Sequence, residues 1–314
     1  MRIDRPGRLL VRWPSRPRVD RIALALHAAG LRRTFNGSNT APIALLFHPV
    51  FWPYVAHLGP RLVIYYAYDA YCLTPGWTDK LARDEATLVD RADLVIAYSA
   101  SMLEELPGDA PRRGRVLSPG VDVERFSTAR SAPCPADLAH IPRPRIGYIG
   151  RINQKLDFRL VLEVATRRPA WHWCFVGAIG ANAAGRFAAD HEAEALWARC
   201  RALPNVHVLG PKNPADVPPY LTHMDVNAMC YRTDAGGWWS AIFPLKSLEY
   251  LAAGRPVISS RVPSMLPYRE NMAFAATADE WIDAIAHGLA GGVGTPASRF
   301  EVACANAWDD RIDR

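Results

Sequence analysis

Over most of its length the sequence alternates short apolar runs with stretches of helical periodicity, and this alternation narrows the fold more than any other feature. Residues 9–13, 43–47, 62–66, 94–98 and 115–117 read as strands, separated by helical stretches over 19–29, 78–90 and 100–106 and a linking stretch around 52–58. The pattern resumes with strands over 145–150, 172–176, 206–209, 225–229 and 256–260, and helices over 158–166, 191–201, 217–222, 280–289 and from 297. Strands that alternate with helices imply βαβ units and a parallel sheet with helices on both faces. A chain of 314 residues exceeds what one core usually supports. Residues 127–143 carry Pro133, Pro135 and Pro142 without an apolar period and read as a linker. The expectation is an α/β chain of two Rossmann-like, doubly wound parallel-sheet domains, 1–126 and 144–314.

One stretch carries the chemistry: FPLKSLEYLAAGRPVISS, residues 243–260. Pro244 suits the first turn of a helix and Gly254 suits its end, since glycine takes a left-handed conformation without cost. Leu245, Leu248, Leu251 and Ala252 make a buried stripe, while Lys246 and Glu249, three apart, share another face. The loop before it, residues 235–240, holds Gly236, Gly237, Trp238, Trp239 and Ser240. Amide groups at a helix start, with the dipole behind them, favour an anion such as a diphosphate. Lys246 adds a full charge, and Glu249 is an acceptor suited to ribose hydroxyls. The plainer reading is an amphipathic helix with a surface ion pair worth at most about 1 kcal/mol.

This stretch resembles the donor-binding helix of GT-B glycosyltransferases, especially family 4-like enzymes of bacterial surface-polysaccharide synthesis of the teichuronic-acid type, with their pattern P-x-K-x-x-E-Y-L-A-x-G-x-P-V. Residues 91–99 (RADLVIAYS) resemble the family's A-D-x-V-x-x-x-S strand, and residues 118–126 (SPGVDVERF) its N-G-V-D-x-x-x-F turn. Residues 204–210 (PNVHVLG) and the Asp225-Val226 pair match two further strands. The resemblance implies a GT-B architecture, in which the second domain binds a nucleotide-sugar donor and the first faces it across a cleft and binds the acceptor. A terminal helix would cross back onto the first domain.

Further donor contacts follow from both the residues and the resemblance. The strand RIGYIG ends in Gly150, where the backbone can approach a phosphate, with Arg151 and Lys155 close by. Relatives read G-R-x-x-x-x-K at this turn, and here the lysine arrives one residue early. Gly210 and Lys212 would lie beside the base, as the resemblance implies, although Lys212 also reads as a solvated loop residue. Only residues 80, 155, 212 and 246 are lysine among 37 cations, and three of these fall in proposed donor segments. In the first domain Asp69 follows the strand 62–66, at the end where ligands of open α/β sheets gather. Related patterns carry further acids there, and this chain has Tyr66 and Ala70 instead. Asp69 is the candidate acid–base or acceptor-orienting group, or else a helix cap.

Charge and cysteine usage bound the remaining classes. The net charge is +6, and nine arginines within residues 1–33, against Asp4 and Asp20, account for the surplus. This basic face could contact an anionic membrane, or be a solvated surface of an arginine-rich chain. No nucleic-acid motif accompanies it. The six cysteines show no C-x-x-C spacing, which argues against a zinc site or a disulfide framework. No apolar run reaches 18 residues and the first 30 lack a signal-peptide core, so a cytoplasmic protein, peripheral at the inner membrane face if the arginines bind lipid, is expected.

No Asp-x-Asp occurs, so no metal–diphosphate handle is expected, and Arg151, Lys155, Lys246 and amide groups near Ser240 would meet the departing charge. The expected activity is transfer of a sugar from a nucleotide-sugar donor, UDP or GDP as nucleotide, to a saccharide or lipid-linked acceptor in polysaccharide synthesis, metal-independent and, by the resemblance, retaining. Catalytic candidates are Asp69, Arg151 and Lys246. One departure is Ala241, where many relatives carry a first glutamate eight residues before the second. It leaves open a non-catalytic nucleotide-binding paralogue or scaffold. A nucleotide-sugar epimerase would need several cleft acids and histidines, and a nicotinamide oxidoreductase a G-x-G-x-x-G after the first strand. Neither is found.

Overall fold

A computed structural model describes residues 17–35, 41–73, 77–180, 187, 190–233 and 243–312. The strand expected over 9–13, the loop 235–240 with Ser240, and Ala241 lie outside them. The chain divides into two compact units, Met1–Ser118 and Pro119–Arg314.

The first unit contains α1 (Pro17–Phe35), β1 (Ile43–Leu46), α2 (Trp52–Val55), β2 (Leu62–Ala67), α3 (Asp79–Arg91), β3 (Leu94–Ala97), α4 (Ala100–Glu105), α5 (Ala110–Arg113) and β4 (Arg115–Val116). The four strands are parallel in the order β1-β2-β3-β4. The register pairs Leu46 with Tyr65 and Tyr65 with Val95. That face packs on Leu24 and Leu31 of α1, Val55 of α2, Leu88 and Val89 of α3, and Met102 and Leu103 of α4. On the opposite face Ile43, Leu45 and Leu94 are exposed among the described residues.

The second unit contains α6 (Val123–Thr128), α7 (Ala136–Ala139), β5 (Arg145–Ile149), α8 (Phe158–Arg167), β6 (His172–Val176), α9 (His191–Cys200), β7 (Val206–Gly210), α10 (Val217–Thr222), β8 (Val226–Met229), α11 (Lys246–Ala253), β9 (Val257–Ser259), β10 (Ala273–Phe274), α12 (Ala278–Leu289), α13 (Pro296–Cys304) and α14 (Trp308–Ile312). Its six strands are parallel in the order β10-β9-β8-β5-β6-β7. β5 and β8 are buried along their whole length, as central strands of a parallel sheet must be.

The boundary between units falls after Ser118, earlier than the expected domain end at 126, and the stretch expected to link the domains packs with the second unit. Phe126, Ala129, Leu138 and Ile141 are buried, Val121 donates its amide to the carbonyl of Asn306, and the Thr222 hydroxyl donates to that of Ala129. These anchors follow no helical or strand period, so the prolines dominate the sequence signal. None of the described helices is long and apolar enough to cross a membrane.

α11 begins at Lys246, two residues later than Pro244 suggests, because the Pro244 carbonyl first accepts a turn bond from the Ser247 amide, 2.9 Å. It ends as expected, on Gly254 with φ 78°. Leu248 and Leu251 are fully buried, each contributing about 1.5–3 kcal/mol. This burial holds the remaining faces of the helix in place.

Candidate functional site

The carboxyl end of β5 and the first turn of α11 meet. Tyr250 fixes the contact: its hydroxyl accepts from the Ile149 amide at 2.8 Å and donates to the Ile149 carbonyl at 3.2 Å. One turn earlier on the same helix, the Lys246 ammonium donates to the Tyr148 hydroxyl at 2.9 Å and lies 4.1 Å from that ring's centroid. The Tyr148 hydroxyl in turn donates to the Arg151 carbonyl at 2.9 Å.

The next residue in the strand makes room for this lysine. Gly150 has φ 137°, and a Cβ there would fall 2.3 Å from Lys246 Nζ. Gly177, ending β6 with φ 152°, is as tightly constrained, since a Cβ would sit 2.0 Å from the Gly150 carbonyl oxygen. The Gly150 amide donates to Val176 and the Gly177 amide to Gly210, so three neighbouring strands end in linked glycines. Gly210 takes φ 70°.

Lys155 and Lys246 approach the same ring, 5.6 and 5.7 Å from the centroid of Tyr231. Burial depresses the Lys246 ammonium well below its ordinary range, Lys155 adds to this by repulsion, and Glu249 opposes it. Glu249 is half-buried. Burial raises its carboxyl, against the attraction of Lys246 and of Arg125 from α6. No ion pair within 4 Å joins Lys246 to Glu249 among the described residues, so the surface pair of the plainer reading does not form. Lys246 is thus buried beside a second cation, and Glu249 compensates it in part. A polyanion beside it would favour the charged form of Lys246.

Gly150, Lys155, Lys246 and Glu249 are thus brought together. Arg151 follows Gly150, is exposed, and donates to the Gly180 carbonyl at 3.2 Å. Gly210 lies two strands from Gly150, roughly 10 Å across the sheet. Lys212 is engaged elsewhere: its ammonium lies 2.6 Å from Asp137 of α7, which also accepts from Tyr220 at 2.6 Å. Asp69, in the first unit, lies two residues past the end of β2 and is half-buried. Its carbonyl accepts from the Tyr71 amide at 3.0 Å, and Tyr68 beside it packs on Tyr71 and Tyr98 at 5.6 and 6.0 Å. Among the described residues no group of three His, Cys, Asp or Glu side chains could hold a metal ion.

Tyr148, Tyr231, Tyr250 and Arg125 belong to this arrangement and were not singled out from the sequence. Tyr250 follows Glu249 within the helix motif, and Tyr148 interrupts an otherwise aliphatic strand. Those were the available signals.

Residues 143–290 match the family model described as Glycosyl transferases group 1. The matched segment is a little under half of the chain. It encloses the glycine rim and all of α11. The chain is 31% identical over 183 residues to TuaH of Bacillus subtilis (strain 168), named for a glycosyltransferase of teichuronic acid biosynthesis, covering 57% of this chain and 43% of that protein. The match thus spans less than half the length of that curated relative. Among solved structures, HepE of Anabaena in complex with UDP has a TM-score of 0.71 at 16% identity, covering 96% of this chain and 82% of that one. Sucrose-phosphate synthase of Thermosynechococcus elongatus has a TM-score of 0.73 at 15% identity, covering 97% and 78%. At these identities the likeness establishes the fold alone, an α/β architecture of two parallel-sheet domains that matches GT-B structures.

Proposed function

We propose that this chain is a glycosyltransferase that moves a sugar from a nucleotide-sugar donor to a saccharide or lipid-linked acceptor in polysaccharide synthesis. The observation that carries the proposal is the contact of Lys246 with the glycine turn at Gly150, where a Cβ would lie 2.3 Å from the ammonium. The donor diphosphate is assigned to Lys246, Lys155, Arg151 and the glycine turn at Gly150, and a ribose to Glu249. UDP is the proposed nucleotide, a choice supported by the structures of HepE with UDP and with UDP-glucose. The C1–O bond to the diphosphate breaks and the acceptor hydroxyl oxygen bonds to C1 with retention, its proton passing to the departing diphosphate. The cations stabilise the leaving diphosphate without a metal. Asp69 is assigned to orienting the acceptor hydroxyl.

Peripheral contact with an anionic membrane forms part of the proposal. α1 exposes Val19, Ile22 and Leu26 beside Arg18, Arg21, Arg32 and Arg33, a combination suited to a lipid interface.

Titration of the full chain with UDP, GDP and UDP-glucose tests the reading, followed by product analysis with a saccharide acceptor. Saturable UDP binding lost in Lys246→Ala, together with sugar transfer, supports it, and absence of nucleotide binding sinks it. Ala241 favours a second reading, a nucleotide-binding protein without transfer, which predicts binding with no product from any donor.

A further inference from the structure

The opposite end of α11 gathers charge of a different kind. Arg130, Arg255 and Arg299 converge on its carboxyl terminus, and none lies within 4 Å of a carboxylate among the described residues. Arg299 is buried and fully committed, with Nε and Nη2 donating to the Gly254 carbonyl at 3.1 and 2.8 Å and Nη1 to that of Val293. Arg130 lies flat over Gly254, its Nη2, Cζ and Nε all 3.1–3.4 Å from where a Cβ would stand, and stacks 4.6 Å from the Phe300 centroid. It donates once, from Nη2 to the Ala252 carbonyl at 2.8 Å. Arg255 likewise donates once, from Nε to the Thr222 carbonyl at 2.7 Å.

The acid that acts on Arg255 is Asp225, which is occupied by Arg143 and by the Arg145 amide. The helix end contributes only about half a negative charge against three guanidinium groups. The repulsion is felt within the cluster: burial, then Arg130 and Arg255, bring Arg299 down to about 10. Arg130 and Arg255 also border an open pocket of about 160 Å³, with Thr222, Ala253, Gly254 and Pro296 as its other walls. That space equals roughly five waters at about 30 Å³ each, enough for one small oxyanion and too little for a nucleotide.

We propose that this pocket binds a small phosphate dianion, inorganic or as a phosphomonoester, through Arg130 and Arg255, at a site separate from Lys246. Each guanidinium borders the pocket and spends one of its five N–H donors on a carbonyl among the described residues, leaving a planar donor set of the kind that suits phosphate. Binding neutralises the cluster and so stabilises the carboxyl-terminal unit.

The test is thermal unfolding of the full chain with rising inorganic phosphate, against sodium chloride at matched ionic strength. Wild type and Lys246→Ala should both show a saturable rise, roughly 3–6 °C at ten times the half-saturating concentration, beyond any effect of chloride. Arg255→Ala and, separately, Arg130→Ala should lose the phosphate-dependent part whatever their own baseline. Glycerol 1-phosphate run alongside identifies the source by which ligand saturates first, and either ranking keeps the site. No saturable rise, a rise unchanged in both arginine variants, or one abolished by Lys246→Ala overturns the proposal.

Discussion

Lys246 donates a 2.9 Å hydrogen bond to the hydroxyl of Tyr148, 98 residues earlier in the chain, and makes no ion pair with Glu249 on its own helix. The lysine is therefore held by the strand end and not by its neighbour. Replacing it with alanine removes a charge-assisted contact, so UDP affinity should fall about 10–100-fold, as read by isothermal calorimetry. Lys246→Arg should not restore it, because a planar fork cannot occupy the space left by Gly150.

The same lysine makes binding dependent on pH. Burial and Lys155 depress its ammonium in the folded chain from an ordinary 10.5. Between the depressed value and 10.5 the unfolded chain holds more protons, so the unliganded protein gains stability as pH rises through that window. A diphosphate draws the proton back, so UDP binding should take up a proton and weaken as pH rises through the depressed value. Calorimetry in buffers of different ionisation enthalpy measures the uptake, which should vanish in Lys246→Met.

Tyr250→Phe removes one oxygen that serves both the amide and the carbonyl of Ile149. It leaves a buried amide unsatisfied, at about 1–3 kcal/mol. The urea midpoint should fall with an unchanged slope, as expected for lost stability without a change in exposed surface.

Lys212 is bound to Asp137 in a half-exposed pair, whose contribution is at most about 1 kcal/mol. Lys212→Met should leave UDP affinity within about twofold of wild type. A tenfold loss would show that the lysine leaves Asp137 for the nucleotide.

Asp69→Asn should leave UDP affinity unchanged while transfer falls about 10²–10⁴-fold, the usual range for a positioned acid or base. Turnover at the wild-type rate would remove Asp69 from the reaction.

The architecture was legible because strand and helix periods are local, and α11 was the clearest case, with Pro244 and Gly254 within one residue or two of its ends. The pairing of Gly150 with Lys246 was legible only as two segments of the same motif set. That they touch, and that Tyr231 provides the ring approached by both Lys155 and Lys246, depends on strand order, which no local pattern encodes. The stretch 127–143 misled for the opposite reason. Its prolines are a strong local signal for a linker, whereas Ala129, Leu138 and Ile141 are buried and leave no periodic trace. Lys212 likewise looked available for a ligand because its partner, Asp137, lies 75 residues away.

Three adjacent strands in the second unit finish on Gly150, Gly177 and Gly210, so the rim there consists of bare peptide. Evolution has little to adjust at such an edge. Alanine at the first two would collide within 2.3 Å, and at the third would be forced into an unfavourable left-handed backbone. The strand ends themselves offer only main chain, so any drift in preference for one compound over another has to be written into the flanking side chains, Lys246 among them.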